Sequence, residues 1–389
     1  MLIIPIAYSQ KLERVKSFGA NPGKLKMYIY SPPGLAANVK APLVVVLHGC
    51  FQNAKIVAKQ TDWNKLADKY GFRVLYPQQR VLNNMCQCFD WYKPKQINKG
   101  TGQDYSIEQM TEYMISQYNA DSNNIYITGL SAGAAMAVVE MADYPQLFKS
   151  GAVFAGGAYK SGTNIFAAMA AMYGFISLSQ QHWANYVQAQ NPKYHGPWPQ
   201  MIIYQGTGDI VVNHRNAQQL IKQWTGLHGI DVNPTQTIHH FAQVKSLEKY
   251  TYNDAQGKAA VIFYKFKHMG HALPVYPGKC EQTGGHMTPF SANKKYFSTY
   301  WTAVDFGLIN APQIMGKTVV GKNEQITYAV PANAQSIFNW KYPKECKVVS
   351  WDKNSLTLIW GTQPGNVDLT ETDGKCKTVY PTLFVSVTP

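Results

Sequence analysis

Residues 124–137 read Asn124-Ile125-Tyr126-Ile127-Thr128-Gly129-Leu130-Ser131-Ala132-Gly133-Ala134-Ala135-Met136-Ala137, and the order of their chemistry decides the architecture. A β-branched and aromatic run stops at a glycine, a serine follows between small neighbours, and an alanine-rich stretch continues from there. That is strand, tight turn and helix in succession. A serine at such a turn takes strained dihedrals, so its flanks must be small for strand and helix to pack closely; Gly129, Ala132, Gly133 and Ala134 meet that need. In this setting a G-x-S-x-G pattern lifts the Ser131 hydroxyl to the carboxyl edge of a sheet, where it can act as a nucleophile. The bland alternative is a glycine-rich turn with a bystander serine.

Outward from this turn the chain alternates. Apolar runs at Leu43 to Leu47, Phe72 to Tyr76, Gly151 to Ala155, Met201 to Tyr204 and Ala260 to Phe266 read as buried parallel strands. Helical stretches fall between and after them at Ile56 to Lys69, Ser106 to Tyr118, Ala134 to Asp143, His214 to Thr225 and Lys294 to Phe306. Strand followed by helix, repeated, implies an α/β fold with a doubly wound, mostly parallel sheet. Beyond Pro312 helical periodicity ends, and alternating runs such as Lys347 to Trp351 and Ser355 to Trp360 are punctuated by Gly, Asn and Pro. The expected division is an N-terminal segment at 1–23, a catalytic domain at 24–309 and a small β-sandwich-like domain at 312–389. Trp340, Trp351 and Trp360 fall in that last part, as core filling or as an exposed platform for an apolar polymer.

Composition limits the function classes. Hydrophobic residues at 46% against charged residues at 15% describe a chain that buries a large core, not a disordered one. The net charge of +14 raises nucleic acid as a partner, but the basic residues are scattered and no nucleic-acid signature accompanies them, so none is expected. Six cysteines, at 50, 86, 88, 280, 346 and 376, show no paired C-x-x-C zinc pattern; neither a metal nor an organic cofactor is expected. Disulfides, and hence secretion to an extracellular or periplasmic home, are the better reading, with buried reduced thiols as the alternative. Cys346 and Cys376 lie together in the C-terminal part and are expected to pair, which leaves Cys50, Cys86, Cys88 and Cys280 for the first domain. The apolar start, Leu2 to Ala7, is too short for a full signal sequence and reads as the tail of a truncated one. No run reaches the about 18 apolar residues of a membrane span, and a monomer is expected.

A serine hydroxyl needs a base and an orienting acid, in the chain order Ser, Asp, His. The strand at Met201 runs into Gln205-Gly206-Thr207-Gly208-Asp209, placing Asp209 at a carboxyl strand end; an Asx turn is its bland reading. The strand at Ala260 runs into Lys267-His268-Met269-Gly270-His271, and Gly270 is expected to turn the loop back so that His271 faces Ser131, with His268 the nearest competitor. The oxyanion produced by attack requires backbone donors; Ala132 N–H and Cys50 N–H, after the strand Leu43 to Leu47, are the candidates. His48 is assigned a shaping role without proton transfer.

With these residues in hand, His48-Gly49-Cys50-Phe51-Gln52, the Ser131 turn, Gly206-Thr207-Gly208-Asp209 and Gly270-His271-Ala272-Leu273-Pro274 together resemble the polyhydroxybutyrate depolymerase family of esterases, over about residues 24–306. The resemblance implies an α/β-hydrolase fold and a Ser131, Asp209 and His271 triad acting by acyl transfer. It also implies short-chain polyhydroxyalkanoate polyesters or related short esters as substrates. Feruloyl or acetyl esters of plant polysaccharides are the second reading, and an inactive scaffold for adhesion is the reading from another class. The stretch Cys86-Gln87-Cys88-Phe89-Asp90-Trp91 resembles the family's cysteine and tryptophan segment and implies a Cys50–Cys88 bridge, with Cys86 then free for Cys280 and Cys86 itself a rival for Cys50. His48, Phe51, Gln52, Trp91 and Leu273 are the expected substrate-facing residues, a buried Trp91 being equally open. Phe51, Ala134 and Leu273 depart from the family's usual threonine, glycine and tryptophan.

Overall fold

The computed structural model describes residues 11–388; the expected signal remnant at 1–9 lies outside them. Ten of the described strands join in one sheet. In chain order they are β1 (Glu13–Val15), β2 (Lys26–Tyr30), β3 (Ala41–Leu47), β4 (Arg73–Gln78), β5 (Ala120–Leu130), β6 (Ser150–Phe154), β7 (Gln200–Gly206), β8 (Gln236–His239), β9 (Leu247–Asn253) and β10 (Ala259–Phe266). Their spatial order is β1-β2-β4-β3-β5-β6-β7-β10-β9-β8. From β4 to β10 the neighbours are parallel, and the flanking strands at both edges are antiparallel.

The nine α-helices among the described residues are α1 (Ala54–Thr61), α2 (Trp63–Tyr70), α3 (Pro94–Ile97), α4 (Gly102–Tyr118), α5 (Ala132–Asp143), α6 (Ile165–Met172), α7 (Gln180–Gln188), α8 (Arg215–His228) and α9 (Ser298–Asp305). Strand alternation explains why helices cover both faces. Leu43, Val45 and Leu47 of β3 enter one core with residues of α4, α5, α7 and α8, while Val44 and Val46 enter the other with α1, α2 and α9. The fold is an α/β hydrolase with further all-β sheets in its C-terminal region.

Two local expectations change. The helix expected over Ile56 to Lys69 is broken at Asp62, which takes φ 53° and accepts the Gly285 N–H at 2.7 Å. Aspartate tolerates this left-handed conformation, and the bond to a distant loop holds it there. Residues 13–15, assigned to a separate N-terminal segment, instead form β1 on the edge of the sheet, with Val15 and Phe18 buried.

Short strands β11 (Leu273–Val275) and β12 (Ser291–Asn293) follow the large sheet. The C-terminal region comprises β13 (Val319–Gly321), β14 (Gln325–Ala329), β15 (Ile337–Lys341), β16 (Lys347–Asp352), β17 (Ser355–Ile359), β18 (Gly365–Asp373), β19 (Cys376–Val379) and β20 (Leu383–Thr388), divided between two sheets. Its core draws on residues 314–385 alone. Trp340 and Trp360 are buried in that core and only Trp351 is exposed, so these tryptophans form no shared platform.

The disulfides are Cys50–Cys88 and Cys280–Cys376. The expected Cys346–Cys376 and Cys86–Cys280 bridges do not form: Cys346 is buried inside the C-terminal core, and Cys86 is a free, half-buried thiol at the cleft described below. Cys376 opens an edge strand that meets the loop carrying Cys280. Val379 of that strand exchanges both backbone hydrogen bonds with the Gln282 side chain, at 2.7 and 2.9 Å. The C-terminal region is therefore docked on the large domain, not closed upon itself.

Candidate active site

Ser131 stands between β5 and α5 at φ 57° and ψ −121°, a conformation that costs a non-glycine residue of the order of 1–3 kcal/mol. The surrounding packing enforces it. The Ser131 N–H donates to Phe154 O at 2.9 Å, and a Cβ on Gly133 would lie 2.5 Å from Leu47 O, so only glycine lets α5 approach β3 this closely. Ala134, where a glycine is usual, is accommodated because its methyl points at Gly156, which has no side chain to collide with it.

Asp209 and His271 meet across two loops. His271 Nδ1 lies 2.8 Å from Asp209 Oδ2, with both side chains almost fully buried. Gln205 Nε2 also donates to Oδ2, at 3.0 Å, and the Val211 and Val212 amides hold Oδ1 at 2.9 Å each, so the carboxylate is fixed by four donors. The bond to the carboxylate makes Nδ1 the protonated nitrogen and leaves Nε2 as a base. His268 is not in this pair; it is exposed at φ 57°, and its backbone amide donates to Thr207 Oγ1 at 2.9 Å.

The turning role given to Gly270 is not observed: its φ is not positive and a Cβ there would meet open space. The glycine that matters is Gly206, where a Cβ would lie 2.7 Å from Met269 C. Its bareness lets the two loops clasp, through Thr207 N–H to Phe266 O and Gly208 N–H to Met269 O, both 2.9 Å.

On the other side of Ser131, the Cys50 N–H has no hydrogen-bond partner among the described residues. Ala132 begins α5, so its N–H has none within the helix, and the positive end of the helix dipole falls there. Both residues line one cleft with Ser131. His48 explains the aim of Cys50. It is wholly buried, its Nε2 accepts the Gln79 N–H at 3.1 Å, and its Nδ1 therefore donates to Gly49 O at 2.8 Å. A planar peptide puts C=O and N–H on opposite sides, so holding Gly49 O turns the Cys50 N–H away from His48. Burial pushes the His48 imidazole down to about 4, against a smaller upward effect of the Gly49 carbonyl, and keeps it neutral.

The cleft measures about 300 Å3 and is mostly apolar, walled by Trp91, Ala135, Ile165, Met169, Met172 and Val212. Of the residues expected to face substrate, Trp91 lines it. Phe51 is exposed at φ 61°, bound through its N–H to Cys86 O at 2.6 Å. Leu273 is buried in the core beneath. Gln52 is also buried and acts as a tie: it accepts the Gly49 N–H at 2.9 Å and donates to Gln60 Oε1 at 2.8 Å, and Gln60 donates to Phe290 O at 2.9 Å. Phe290 packs edge-on against His271, so two glutamines connect the Cys50 loop with the histidine loop. The α6 wall and the polar pair Ser161 and Asn216 were missed, because no motif marks them and only folding brings them to the cleft.

Comparison with known proteins agrees with this geometry. The profile described as Esterase PHB depolymerase matches residues 25–239. Poly(3-hydroxyalkanoate) depolymerase C of Paucimonas lemoignei is 36% identical over 300 residues, covering 77% of this chain and 70% of that protein. Feruloyl esterase B of Talaromyces funiculosus is 33% identical over 279 residues, 70% of this chain and 76% of that one. The solved acetyl xylan esterase from Aspergillus awamori superposes with a TM-score of 0.62 at 29% identity, over 67% of this chain and 94% of that one. A strained serine turn, a buried Asp–His pair and this degree of likeness together identify the chain as a carboxylic ester hydrolase that belongs to the polyhydroxybutyrate depolymerase family of esterases.

Proposed function

We propose that the chain hydrolyses short-chain polyhydroxyalkanoate polyester, such as poly-3-hydroxybutyrate, or related short esters through an acyl-enzyme on Ser131. The observation that carries this reading is the buried Asp209–His271 hydrogen bond at the same sheet edge as the strained Ser131 turn. His271 Nε2 takes the Ser131 proton as the hydroxyl attacks the ester carbonyl, while Asp209 fixes the tautomer and stabilises the imidazolium. The Cys50 and Ala132 amides receive the oxyanion. Collapse releases the alcohol, protonated by His271; water activated by the same nitrogen then attacks the acyl-enzyme and frees the acid.

The apolar cleft suits an aliphatic acyl chain. Phe51, Met85, Phe166, Phe175 and Ile210, each within three residues of one that lines the cleft, are exposed, which suits a water-poor polymer surface. The relatives that act on feruloyl and acetylxylan esters support a second reading, an esterase acting on plant polysaccharide. Adhesion by an inactive scaffold loses its support with the burial of Trp340 and Trp360. The proposal divides the chain into a catalytic unit at 24–309, which β1 joins, and an accessory unit at 312–389, in keeping with the separate C-terminal core. Secretion is proposed from the two disulfides; no helix of the described residues is long and apolar enough to cross a membrane. Comparing rates on amorphous polyhydroxybutyrate granules, feruloylated xylan, acetylated xylan and p-nitrophenyl butyrate tests the reading. Release of 3-hydroxybutyrate as the fastest reaction is expected, and a polysaccharide ester as the preferred substrate would overturn it.

A further inference from the structure

The cleft is mostly apolar, and among its polar lining residues Ser161 and Asn216 take no part in the chemistry above. Asn216 is 4% exposed, and its Nδ2 donates to three main-chain carbonyls: Ala171 at 2.8 Å, Asn213 at 3.0 Å and Met172 at 3.3 Å. Those carbonyls fix the amide orientation, because a flip would turn Oδ1 against them. Asn216 Oδ1 therefore faces the other way, and among the described residues no donor reaches it. Ser161 is 6% exposed, and its Oγ has no hydrogen-bond partner. A Cβ built on Gly157 would lie 3.4 Å from Ser161 Oγ and 3.8 Å from Asn216 Oδ1, so both oxygens border a space that glycine leaves empty.

Unpaired buried polar atoms cost of the order of 1–3 kcal/mol each. The buried, unpaired Ser161 Oγ and the Asn216 acceptor beside one empty space at the cleft form a receptor for a group that both donates and accepts. Asn216 Oδ1 can only accept, which excludes a carbonyl, an ether or a methyl group. The Ser161 hydroxyl is held by no bond and is free to turn its proton toward an incoming oxygen. A hydroxyl satisfies both: its proton goes to Asn216 Oδ1 and its oxygen accepts from Ser161. The position of Ser161 is firm, since its N–H donates to Ala158 O at 3.1 Å and a Cβ on the next residue, Gly162, would lie 2.6 Å from Ala168 N of α6.

We propose that Ser161 and Asn216 form a specificity subsite for a hydroxyl group borne by the acyl part of the ester, an inference that rests on the esterase reading of Ser131 and narrows its substrate class. Two acyl chemistries carry such a group: an aliphatic hydroxyacyl chain and a phenolic hydroxycinnamoyl group. Matched ester pairs separate them. One pair is p-nitrophenyl 3-hydroxybutyrate with p-nitrophenyl butyrate; the other is methyl ferulate with methyl 3,4-dimethoxycinnamate, whose phenol is masked.

The full-length protein is expected to favour the hydroxyl-bearing member of one pair by about 3- to 10-fold in kcat/KM, the range of a single net hydrogen bond. Ser161→Ala should bring that ratio close to one, and Ser161→Thr, which keeps the hydroxyl, should restore it. The pair that responds identifies the acyl chemistry. A wild-type ratio near one in both pairs, or a preference undiminished in Ser161→Ala, would overturn the subsite while ester hydrolysis itself continued. Loss of discrimination that Ser161→Thr fails to restore would assign the effect to packing and overturn it as well. Failure to hydrolyse any of the four esters would overturn the reading of Ser131, and this inference with it.

Discussion

His48 stands behind the proposed oxyanion site without lining the cleft, and its value is the direction it gives to one peptide. Replacement by leucine frees Gly49 O and leaves the Gln79 N–H without its acceptor. His48→Leu is expected to lower kcat by about 10- to 100-fold with KM little changed, since a misdirected donor weakens the transition state more than the ground state. Steady-state kinetics on a soluble ester decide it; a rise in KM at constant kcat would contradict the positioning role. Because the folded protein holds His48 unprotonated down to about pH 4 while the unfolded chain binds that proton below about 6.5, its contribution to stability is present above that range and lost as pH falls through it. At this scale the strained Ser131 turn and the pairing of Asp209 with His271 were legible because each residue belongs to a short motif at a strand end. Gln52 and Leu273 were misread as substrate-facing because their partners, Gln60 and the residues around Phe290, are set by folding and not by adjacency.

At the level of elements, the site depends on two loops clasped over Gly206. A methyl group there would force Met269 away and break the bonds that hold the aspartate loop to the histidine loop. Gly206→Ala should cost about 1–3 kcal/mol in chemical denaturation and at least about 100-fold in kcat; near-normal turnover would show that the clasp does not set the Asp209–His271 geometry. Helices α4 and α5 carry a second dependence, on pH. Asp104, Glu140 and Asp143 are buried together, and both Glu140 oxygens lack partners. Burial, and then the charges of the neighbouring carboxyls, hold Asp104 and Glu140 well above the usual carboxylate range; burial pushes Asp143 up to about 7. The folded state thus retains protons that the unfolded chain loses above about pH 4, so this stabilisation is full below that value and is lost as pH rises through 7. Glu140→Gln, which has no charge to bury, should gain on the wild type by about 1–3 kcal/mol between pH 5 and pH 8 in urea melts. An unchanged difference across that interval would contradict it. The strands of the parallel sheet and α5 were legible from periodicity, but the break at Asp62 was not, since the Gly285 amide that holds it lies far along the chain.

Across the whole molecule, the C-terminal region is a docked partner of the catalytic unit. Cys280–Cys376, the Gln282 to Val379 exchange and the hydrogen bond from Gln243 to Thr370 fasten it to the large domain. The Cys280 loop continues to Phe290 against His271, so undocking should loosen that wall of the active site. A chain ending near Leu308 is expected to melt several degrees lower and to lose activity on p-nitrophenyl butyrate and on polymer granules alike. Retention of the soluble-ester rate with loss of granule hydrolysis alone would instead make the region a tethered binding module. The all-β character of the C-terminal region was legible from the change of pattern after Pro312. The disulfides across it were not, because expecting each part to close on itself ignores the edge strand β19 that docking brings to Cys280.

The central claim, that Ser131 carries the acyl group, is tested most directly by covalent labelling. Wild-type protein and Ser131→Ala are incubated with a serine-directed p-nitrophenyl phosphonate, digested and mapped by mass, with ester hydrolysis measured in parallel. One phosphonyl group on the peptide containing Ser131, complete loss of wild-type activity, no adduct on Ser131→Ala and a kcat for that variant lower by at least about 1000-fold are predicted. Wild-type turnover by Ser131→Ala, or inactivation with the label on another residue, would contradict the claim.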